Sequence, residues 1–309
     1  VLDDQGIGLA LAQVALGHAA EGGAAPVGLA PGAHDEQVLL IKTAMGNRSL
    51  GFDFRPPTSG RTDPDNKYEA IEYKFMVEGV RKTLDNIDKV VPGYKGQGYE
   101  IAGFAWFQGH KDSYTEELIA EYEKHLVNLI NDVRKEFKTP KLPAVVATVG
   151  FGGHNMPDKF LRILKAQMAV GDAKQHPEFS GTVASVDTRE FWREVDESPR
   201  SQDFHYNRNA ETYMLIGDAL GRAMVGLLGG KAEPFPLAPR PKRVAGKQTA
   251  EPSDEEKAAG AAILMPPGYA RLMGTGPSSP LPMEPRNRLY LAMASLPRGS
   301  AIAATLFQT

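Results

Sequence analysis

The hydrophobic positions of this chain change period along its length, and the changes predict alternating strands and helices. Short continuous apolar runs, typical of strands buried on both faces, occur at residues 37–42, 99–107, 143–150 and 181–188. Apolar residues at three- and four-residue spacing predict helices at 68–87, 115–137, 157–170 and 210–228, with a further helix within 1–36. Strands that alternate with helices indicate a parallel sheet covered on both faces, so we predict an α/β fold.

The alternation ends near Gly230, and the composition changes at the same point. Residues 231–309 hold 12 of the 23 prolines and show no strand–helix alternation. A segment rich in Pro, Ala and Gly buries little apolar surface and tends to stay loosely ordered. We therefore predict an α/β domain over residues 1–230 and a loosely ordered tail over residues 231–309.

Charge and cysteine usage narrow the function classes. The net charge of -3 provides no basic surface of the kind that nucleic acids or acidic membranes require. No apolar run reaches the ~18 residues that a membrane-spanning helix needs. The chain has no cysteine, which excludes disulfides, thiolate metal sites and a cysteine nucleophile. We expect neither a nucleic-acid partner nor a membrane partner.

Polar residues follow the predicted strands at the edge where α/β proteins bind their ligands. Gln108, Gly109 and His110 come directly after the second strand, and His154 follows the third. The carboxyl ends of parallel strands form the usual ligand crevice of such a sheet. A tight turn whose glutamine bonds its own loop is the structural alternative. A metal site formed by His110, Asp112 and His154 matches no established ligand spacing, so we predict no metal.

A histidine in a polar loop before the last predicted helix is the second candidate. His205 follows Asp203 by two positions. A carboxylate next to an imidazole can hold its tautomer and stabilise the imidazolium of a general base. The structural alternative is a histidine that caps the helix beginning near Asn209.

The segment after the first strand is the third candidate. Gly46 and Asn47 are followed by the hydroxyl of Ser49. A glycine at a strand end lets backbone N–H groups approach a developing oxyanion. An ordinary strand-to-loop turn is the alternative interpretation.

Three blocks of the sequence, in this order, resemble the sialate O-acetylesterase-like family of SGNH hydrolases. The blocks are LLIKTAMGNRSLGFDFRPP, GFAWFQGHKD and DFHYNRNAETYMLIGDALGRAM, and the resemblance covers roughly residues 35–228. Its most specific parts are WFQG and FHYN…AETY. The resemblance implies a flavodoxin-like three-layer α/β/α sandwich with a mostly parallel sheet, and a carbohydrate esterase that requires no cofactor.

The same resemblance implies roles for individual residues. Gly46 and Gln108 would stabilise the oxyanion of the tetrahedral intermediate. His205 would act as the general base, with Asp203 as its provisional acid. The residues predicted to contact the substrate are Asn47, His110 and Tyr206.

The chain departs from the family pattern at four points. His110 stands where the family usually has an acidic residue, Asn47 replaces a glycine, and Gln202 takes the usual position of the triad acid. The family's serine lies in a G-Q-S-N block, and no such block precedes Gly46. We therefore expect a chain truncated at its amino end that lacks its nucleophile, with Ser49 as an unfavoured substitute.

These features together predict a carbohydrate O-acetylesterase that hydrolyses acetyl esters of sugars through an acyl-serine intermediate. The predicted partner is an acetylated sugar or polysaccharide. The alternative is a non-catalytic carbohydrate-binding or inactive esterase-like protein on the same fold. We expect a periplasmic or secreted location if a signal peptide precedes Val1.

Overall fold

A computed structural model describes residues 37–91, 94–96, 98–199, 201–232, 290–293 and 300–301, without the side chains of residues 37, 38, 40, 203, 204, 290–293 and 300–301. The strands are β1 (Gln37–Lys42), β2 (Phe104–Phe107), β3 (Ala144–Ala147), β4 (Val183–Val186), β5 (Tyr290–Met293) and β6 (Ser300–Ala301). The helices are α1 (Ile71–Asp85), α2 (Ile87–Val90), α3 (Glu116–Glu136), α4 (Asp158–Val170) and α5 (Ala210–Leu227). The helix predicted within residues 1–36 lies outside the described residues.

Strands β2, β3 and β4 form a parallel sheet in chain order. Its register aligns Phe104 with Ala144, and Ala144 with Val183. Every residue of β2 and β3 is buried, as expected of parallel strands with helices on their faces. The predicted α/β class is confirmed, and the arrangement is compatible with an SGNH-like α/β/α sandwich.

Strand β1 belongs to a second three-stranded sheet. It runs antiparallel to β5 and parallel to β6, so the order is β5-β1-β6. Both partner strands come from the segment that the sequence predicts to be loosely ordered. The rest of that segment beyond residue 232 lies outside the described residues, so the prediction for the tail stays a prediction.

The two faces of the β2–β3–β4 sheet are covered by different elements. Trp106 donates its indole N–H to the hydroxyl of Tyr122 in α3, at 3.2 Å. The next residue, Phe107, points to the opposite face and packs on Tyr206, with ring centroids 5.9 Å apart. Successive side chains of a strand alternate between faces, so β2 places one aromatic ring in each layer of the core.

Helix α3 begins and ends where its sequence signals predict. The side chain of Thr115 caps the helix by accepting the N–H of Leu118. Acidic residues occupy its first turn and Arg134 and Lys135 its last, which complements the helix dipole. Its buried apolar residues are Ile119, Tyr122, Leu126, Leu129, Ile130 and Val133.

Several predicted elements are shorter than the sequence pattern suggested, including the strands predicted at 143–150 and 181–188, which are regular over Ala144–Ala147 and Val183–Val186. The strand predicted at 99–107 is regular only from Phe104 to Phe107. The helix predicted at 68–87 begins at Ile71, because Ala70 has a left-handed φ of 63°. Within the part of the chain that the structure describes, no helix is both long and apolar enough to cross a bilayer.

Candidate active site

The polar segments that follow β2, β3 and β4 lie at one edge of the parallel sheet. The turn after β2 needs its glycine, since Gly109 has a φ of 153° and a Cβ there would lie 2.7 Å from Cγ1 of Val149. Asp187 follows β4 at the same edge and is ion-paired with Arg189. This is the edge at which the sequence predicts a site.

Gln108 is only 4% exposed, and its side-chain amide is fully engaged within the protein. Its Nε2 donates to the carbonyl oxygen of Arg48 at 2.9 Å and to Oδ2 of Asp112 at 2.6 Å. Its Oε1 accepts the hydroxyl of Tyr122. An amide nitrogen has two hydrogens, so neither hydrogen of Gln108 is left for an oxyanion in this arrangement. Its predicted role as an oxyanion donor stays a prediction.

Asp112 connects the turn after β2 to the loop after β1. Its two carboxylate oxygens accept the backbone N–H groups of Leu50 and Gly51, at 2.8 and 2.9 Å, in addition to Gln108. The side chain is completely buried, and burial raises its pKa to about 6 although these hydrogen bonds act in the opposite direction. From the sequence, Asp112 was a candidate only as a metal ligand. Its structural role was missed because its partners lie 61 and 62 positions away.

The Gly46–Asn47 turn is exposed and lies next to this buried network. Asn47 has a φ of 59°, a conformation that glycine adopts freely and that asparagine tolerates better than most residues. The turn therefore keeps a left-handed backbone although it lacks the second glycine. The following residue, Arg48, is held from both sides, through its carbonyl by Gln108 and through its guanidinium by Asp53.

Ser49 is buried and lies in a hydrogen-bonded turn. Its hydroxyl donates to Oδ2 of Asp53 at 2.9 Å, and the same oxygen atom of Asp53 accepts the N–H of Ser49. The N–H groups of Phe52 and Asp53 point back at Ser49 Oγ. A nucleophilic serine instead bonds a general base and faces the substrate. These contacts argue for a structural role of Ser49.

His205 lies in the 3-10 segment Asp203–Arg208 that precedes α5. Its backbone N–H donates to the carbonyl of Gln202 at 3.0 Å. The side chain of Asp203 lies outside the described residues, so its pairing with His205 stays a prediction. The amide oxygen of Gln202, three positions before His205, accepts the guanidinium of Arg208 at 2.6 Å.

The backbone after His205 adopts an uncommon conformation. Tyr206, Asn207 and Arg208 have φ values of 48°, 52° and 55°, which residues with a Cβ rarely adopt. Asn207 holds this backbone because its Oδ1 accepts the N–H of Gln202 and its Nδ2 donates to the carbonyl of Arg193. Consecutive left-handed residues persist only where surrounding contacts determine them, and such strain clusters at functional sites.

His110 is packed among aromatic rings. It stacks on Phe160 with ring centroids 5.7 Å apart, and it meets Phe151 and Tyr114 edge-on at 5.6 and 5.2 Å. Phe151 in turn lies 4.7 Å from the ring of Tyr206. This chain of rings connects the turn after β2 to the loop that carries His205.

The surroundings of His110 lower its pKa. Burial, followed by the positive charges of Lys159, His205 and Lys111, lowers the pKa of His110 to about 4. His110 is therefore neutral at pH 7.

Tyr206 is only 1% exposed, which differs from the cleft wall that its position beside His205 suggested. Its hydroxyl accepts the backbone N–H of Gly150 at 2.9 Å and lies 3.3 Å from the hydroxyl of Thr188. Burial raises the pKa of Tyr206. These contacts tie the loops after β3 and β4 together, so they argue for a structural role of Tyr206 in the described conformation.

A second arrangement of Ser, His and Glu is formed by Ser59, His125 and Glu121. Nδ1 of His125 is 2.8 Å from the hydroxyl of Ser59, and Nε2 is 3.2 Å from Glu121. The backbone N–H groups of Ser59 and Gly60 are bonded to carbonyls within their own turn. Because these groups cannot bind an oxyanion, the arrangement holds the turn against α3 and is not a catalytic triad.

His154 is exposed and bonds Glu190 at 2.6 Å. Across the described ranges, no group of three or more His, Asp or Glu side chains could hold a metal ion. Asp112, one of the residues weighed as a metal ligand, has its oxygens occupied by N–H donors.

Comparison with known proteins gives one family match. A family model for carbohydrate esterases, the sialic acid-specific acetylesterases, matches residues 25–225. No curated protein matches this chain. Among solved structures, an X-ray structure of an Arabidopsis thaliana protein is 18% identical with a TM-score of 0.41, over 60% of this chain. This chain covers 59% of the Arabidopsis protein.

Proposed function

This chain belongs to the sialic acid-specific acetylesterase family of carbohydrate esterases, and from this premise we propose that it hydrolyses acetyl esters of sugars. One observation of the site supports the proposal. His110 follows β2 at its carboxyl end, and the rings of Phe151 and Tyr206, at centroid distances of 5.6 and 4.7 Å, connect it to the loop that carries His205. A general-base histidine at this edge of a parallel sheet is what the proposed reaction requires.

In the proposed mechanism, His205 removes the proton of a serine hydroxyl, and the serine oxygen attacks the acetyl carbonyl carbon. The tetrahedral intermediate collapses, the bond between the acetyl carbon and the sugar oxygen breaks, and the sugar oxygen takes the proton from His205. Water activated by the same histidine then attacks the acyl-serine and releases acetate. Asp203 is the proposed acid that orients His205.

The oxyanion is proposed to bind at the Gly46–Asn47 turn. This turn is exposed and left-handed at Asn47, so its backbone N–H groups can face a ligand. Both amide hydrogens of Gln108 are bonded, one of them to the carbonyl of Arg48. We therefore assign Gln108 the role of positioning the turn through Arg48, while Asn47 and His110 contact the sugar.

A non-catalytic carbohydrate-binding protein is the second candidate. It is favoured by the contacts of Ser49, whose hydroxyl is bonded to Asp53 and not to an imidazole. Such a protein would keep the edge of the sheet as a sugar-binding surface without turnover.

Hydrolysis of a chromogenic acetyl ester by the whole chain tests the two candidates. If a serine of this chain is the nucleophile, the unsubstituted chain hydrolyses the ester and His205→Ala is slower by about 100-fold or more, because general-base catalysis contributes about this much. His154→Ala, which removes an exposed histidine paired with Glu190, is the matched control and should stay within about twofold of the parent.

Each result of this experiment bears on a different proposal. Equal loss in both histidine variants would contradict the role of His205. Absence of hydrolysis in all three proteins would reject the esterase proposal for this chain. Tryptophan fluorescence during titration with an acetylated sugar would then distinguish a binding protein from one that does not bind sugars.

A further inference from the structure

A pocket of about 420 Å³ lies at the edge of the parallel sheet that the candidate site does not use. It is lined by the end of α1, by the end of α3 with the residues that follow it, and by residues 99–101. Residues 99–101 lead into β2, and the segment after α3 leads into β3. Because the candidate site borders the carboxyl ends of these two parallel strands, the pocket lies at the opposite edge, near their amino ends.

The chain after α3 forms one wall of the pocket through a hydrogen-bonded helix end. Lys138 has a φ of 55°, and its N–H donates to the carbonyl of Lys135. The N–H of Thr139 donates to the carbonyl of Arg134. These two bonds around a left-handed residue form a Schellman motif. The motif directs the chain across the end of the helix, so Phe137, Lys138 and Thr139 all line the pocket.

The pocket joins an exposed aromatic ring to buried apolar surface. Tyr99 is 45% exposed. Leu84 of α1 is buried, and Ile101 and Phe137 are half-buried. Small-molecule sites typically combine apolar and aromatic side chains with a few polar groups that orient the ligand. A sugar ring suits such a surface, because it has a face of C–H groups and a rim of hydroxyl groups.

The charged side chains of the lining leave an excess of negative charge. Arg81 from α1 and Glu136 from α3 pair with each other. Asp85 and Glu100 are exposed, and neither forms an ion pair within the part of the chain that the structure describes. Lys138 is the remaining cation of the lining. Carboxylates without a partner accept the hydroxyl groups of a ligand and repel a ligand that carries its own negative charge.

The lining also contains a hydroxyl group without a partner. The side-chain oxygen of Thr139 is buried and has no hydrogen bond to any described residue. Buried polar groups in native proteins are nearly always hydrogen-bonded to protein or to ordered water. A sugar hydroxyl in the pocket would provide a partner, either directly or through one water molecule.

We propose that this pocket is a second saccharide site, which binds a neutral sugar and takes no part in ester hydrolysis. The side chains of Tyr99, Leu84 and Phe137 pack against the apolar face of the sugar ring. Asp85 and Glu100 accept its hydroxyl groups, and they disfavour an acidic sugar. The inference goes beyond the proposed function and does not rest on it, because the pocket and the candidate active site lie at opposite edges of the sheet.

Titration calorimetry on the full chain tests the second saccharide site without requiring turnover. The probes are linear trisaccharides of glucose, of galactose and of mannose, together with the trisaccharide of galacturonic acid. We expect at least one neutral trisaccharide to bind, and to bind about fivefold or more tighter than the acidic one at low salt. Tyr99→Ala should weaken the neutral ligand by about fivefold or more, because the aromatic surface is lost.

The matched control removes a tyrosine elsewhere. Tyr68 is 52% exposed and does not line the pocket, so Tyr68→Ala should bind the neutral trisaccharide within about twofold of the parent. Asp85→Asn with Glu100→Gln should remove the preference for the neutral sugar, because the repulsion by two carboxylates is lost. Circular dichroism verifies that each variant is folded.

Three results would overturn the second saccharide site. The first is that none of the three neutral trisaccharides binds to the parent chain. The second is an equal loss of binding in Tyr68→Ala and Tyr99→Ala. The third is an acidic trisaccharide that the parent binds as tightly as the neutral ones.

His205→Ala separates this proposal from the esterase proposal. We expect this variant to bind the neutral trisaccharide within about twofold of the parent, whatever its effect on hydrolysis. Binding that is lost in His205→Ala and retained in Tyr99→Ala would place the sugar at the candidate active site and reject the second site. Binding that depends on Tyr99 in a chain without ester hydrolysis would reject the esterase and retain the second site.

Discussion

Two loops border the candidate site, and they are held by different chemistry. In the loop after β1, the carboxylates of Asp53 and Asp112 accept the N–H groups of Ser49, Leu50 and Gly51. The backbone there is organised around buried charge. In the loop before α5, the side-chain amide of Asn207 bonds the backbone instead. Three consecutive residues of this loop have positive φ values.

The difference follows from what each group can do. A carboxylate accepts several N–H groups at once, but burying it costs solvation free energy and shifts its pKa. An asparagine side chain both donates and accepts, so Asn207 can bond the N–H of Gln202 and the carbonyl of Arg193 without any charge. The backbone that these bonds hold is strained at Tyr206 and its neighbours. The hydrogen bonds of Asp112 in the first loop should therefore respond to pH, and those of Asn207 in the second should not.

Removing the carboxylate of Asp112 should have the largest effect of the substitutions considered. Asp112→Ala leaves the buried N–H groups of Leu50 and Gly51 without acceptors, and we expect a loss of about 3–5 kcal/mol in the free energy of unfolding. Urea denaturation followed by circular dichroism measures this change. Asp65→Ala, at an exposed aspartate, is the control and should change stability by less than about 0.5 kcal/mol. A comparable stability of the two variants would contradict the role of Asp112.

Substitution of Asn207 should have a smaller effect and should separate hydrogen bonding from backbone strain. Asn207→Ala loses both side-chain hydrogen bonds while keeping a Cβ at a φ of 52°, and we expect a loss of about 2–3 kcal/mol. Asn207→Gly loses the same bonds but adopts this φ freely, so it should be about 1 kcal/mol more stable than the alanine variant. Thermal or urea unfolding gives both values. An alanine variant as stable as the glycine variant would show that the positive φ carries no strain.

The smallest expected effect is the pH response that distinguishes the loops. Burial raises the pKa of Asp112 to about 6 from 3.8, so the folded state binds a proton more tightly than the unfolded state. This contribution to stability is fully present below pH 3.8 and is lost as the pH rises through about 6. The stability difference between the parent and Asp112→Asn should therefore shrink by about 1.4 kcal/mol for each pH unit within this interval. Urea unfolding at pH 4, 5, 6 and 7 measures it.

The control for the pH response comes from the second loop. Asn207→Ala removes no titratable group. The difference in the free energy of unfolding between this variant and the parent should therefore stay constant across the same pH range. Parallel curves for Asp112→Asn would contradict the assignment of the pH response to the first loop.

Much of the fold could be predicted because its signals are local. Strand β3 is a continuous apolar run, and α3 has a capping threonine and a buried stripe at helical spacing. The boundaries of β2 could not be predicted, because the apolar residue Ile101 continues the pattern although regular pairing begins at Phe104. That boundary depends on the neighbouring strand and not on the residues themselves.

The candidate site was predictable in part. The sequence indicated the carboxyl edge of the sheet and named Gln108, His110 and His205. It did not reveal that both amide hydrogens of Gln108 are bonded inside the protein, or that Tyr206 is buried. It also gave no reason to consider Lys159 together with Tyr114.

The sequence by itself determined the order of strands and helices, the family, and the residues available for chemistry, because hydrophobic period, caps and motifs are properties of short segments. Only the tertiary structure decided which polar groups are free to act. Hydrogen-bond saturation, burial and charge depend on partners that come from distant parts of the chain. Asp112 bonds Leu50 and Gly51 of the loop after β1, which belongs to a second sheet, and Lys159 approaches Tyr114 because the parallel sheet brings the ends of β2 and β3 to one edge.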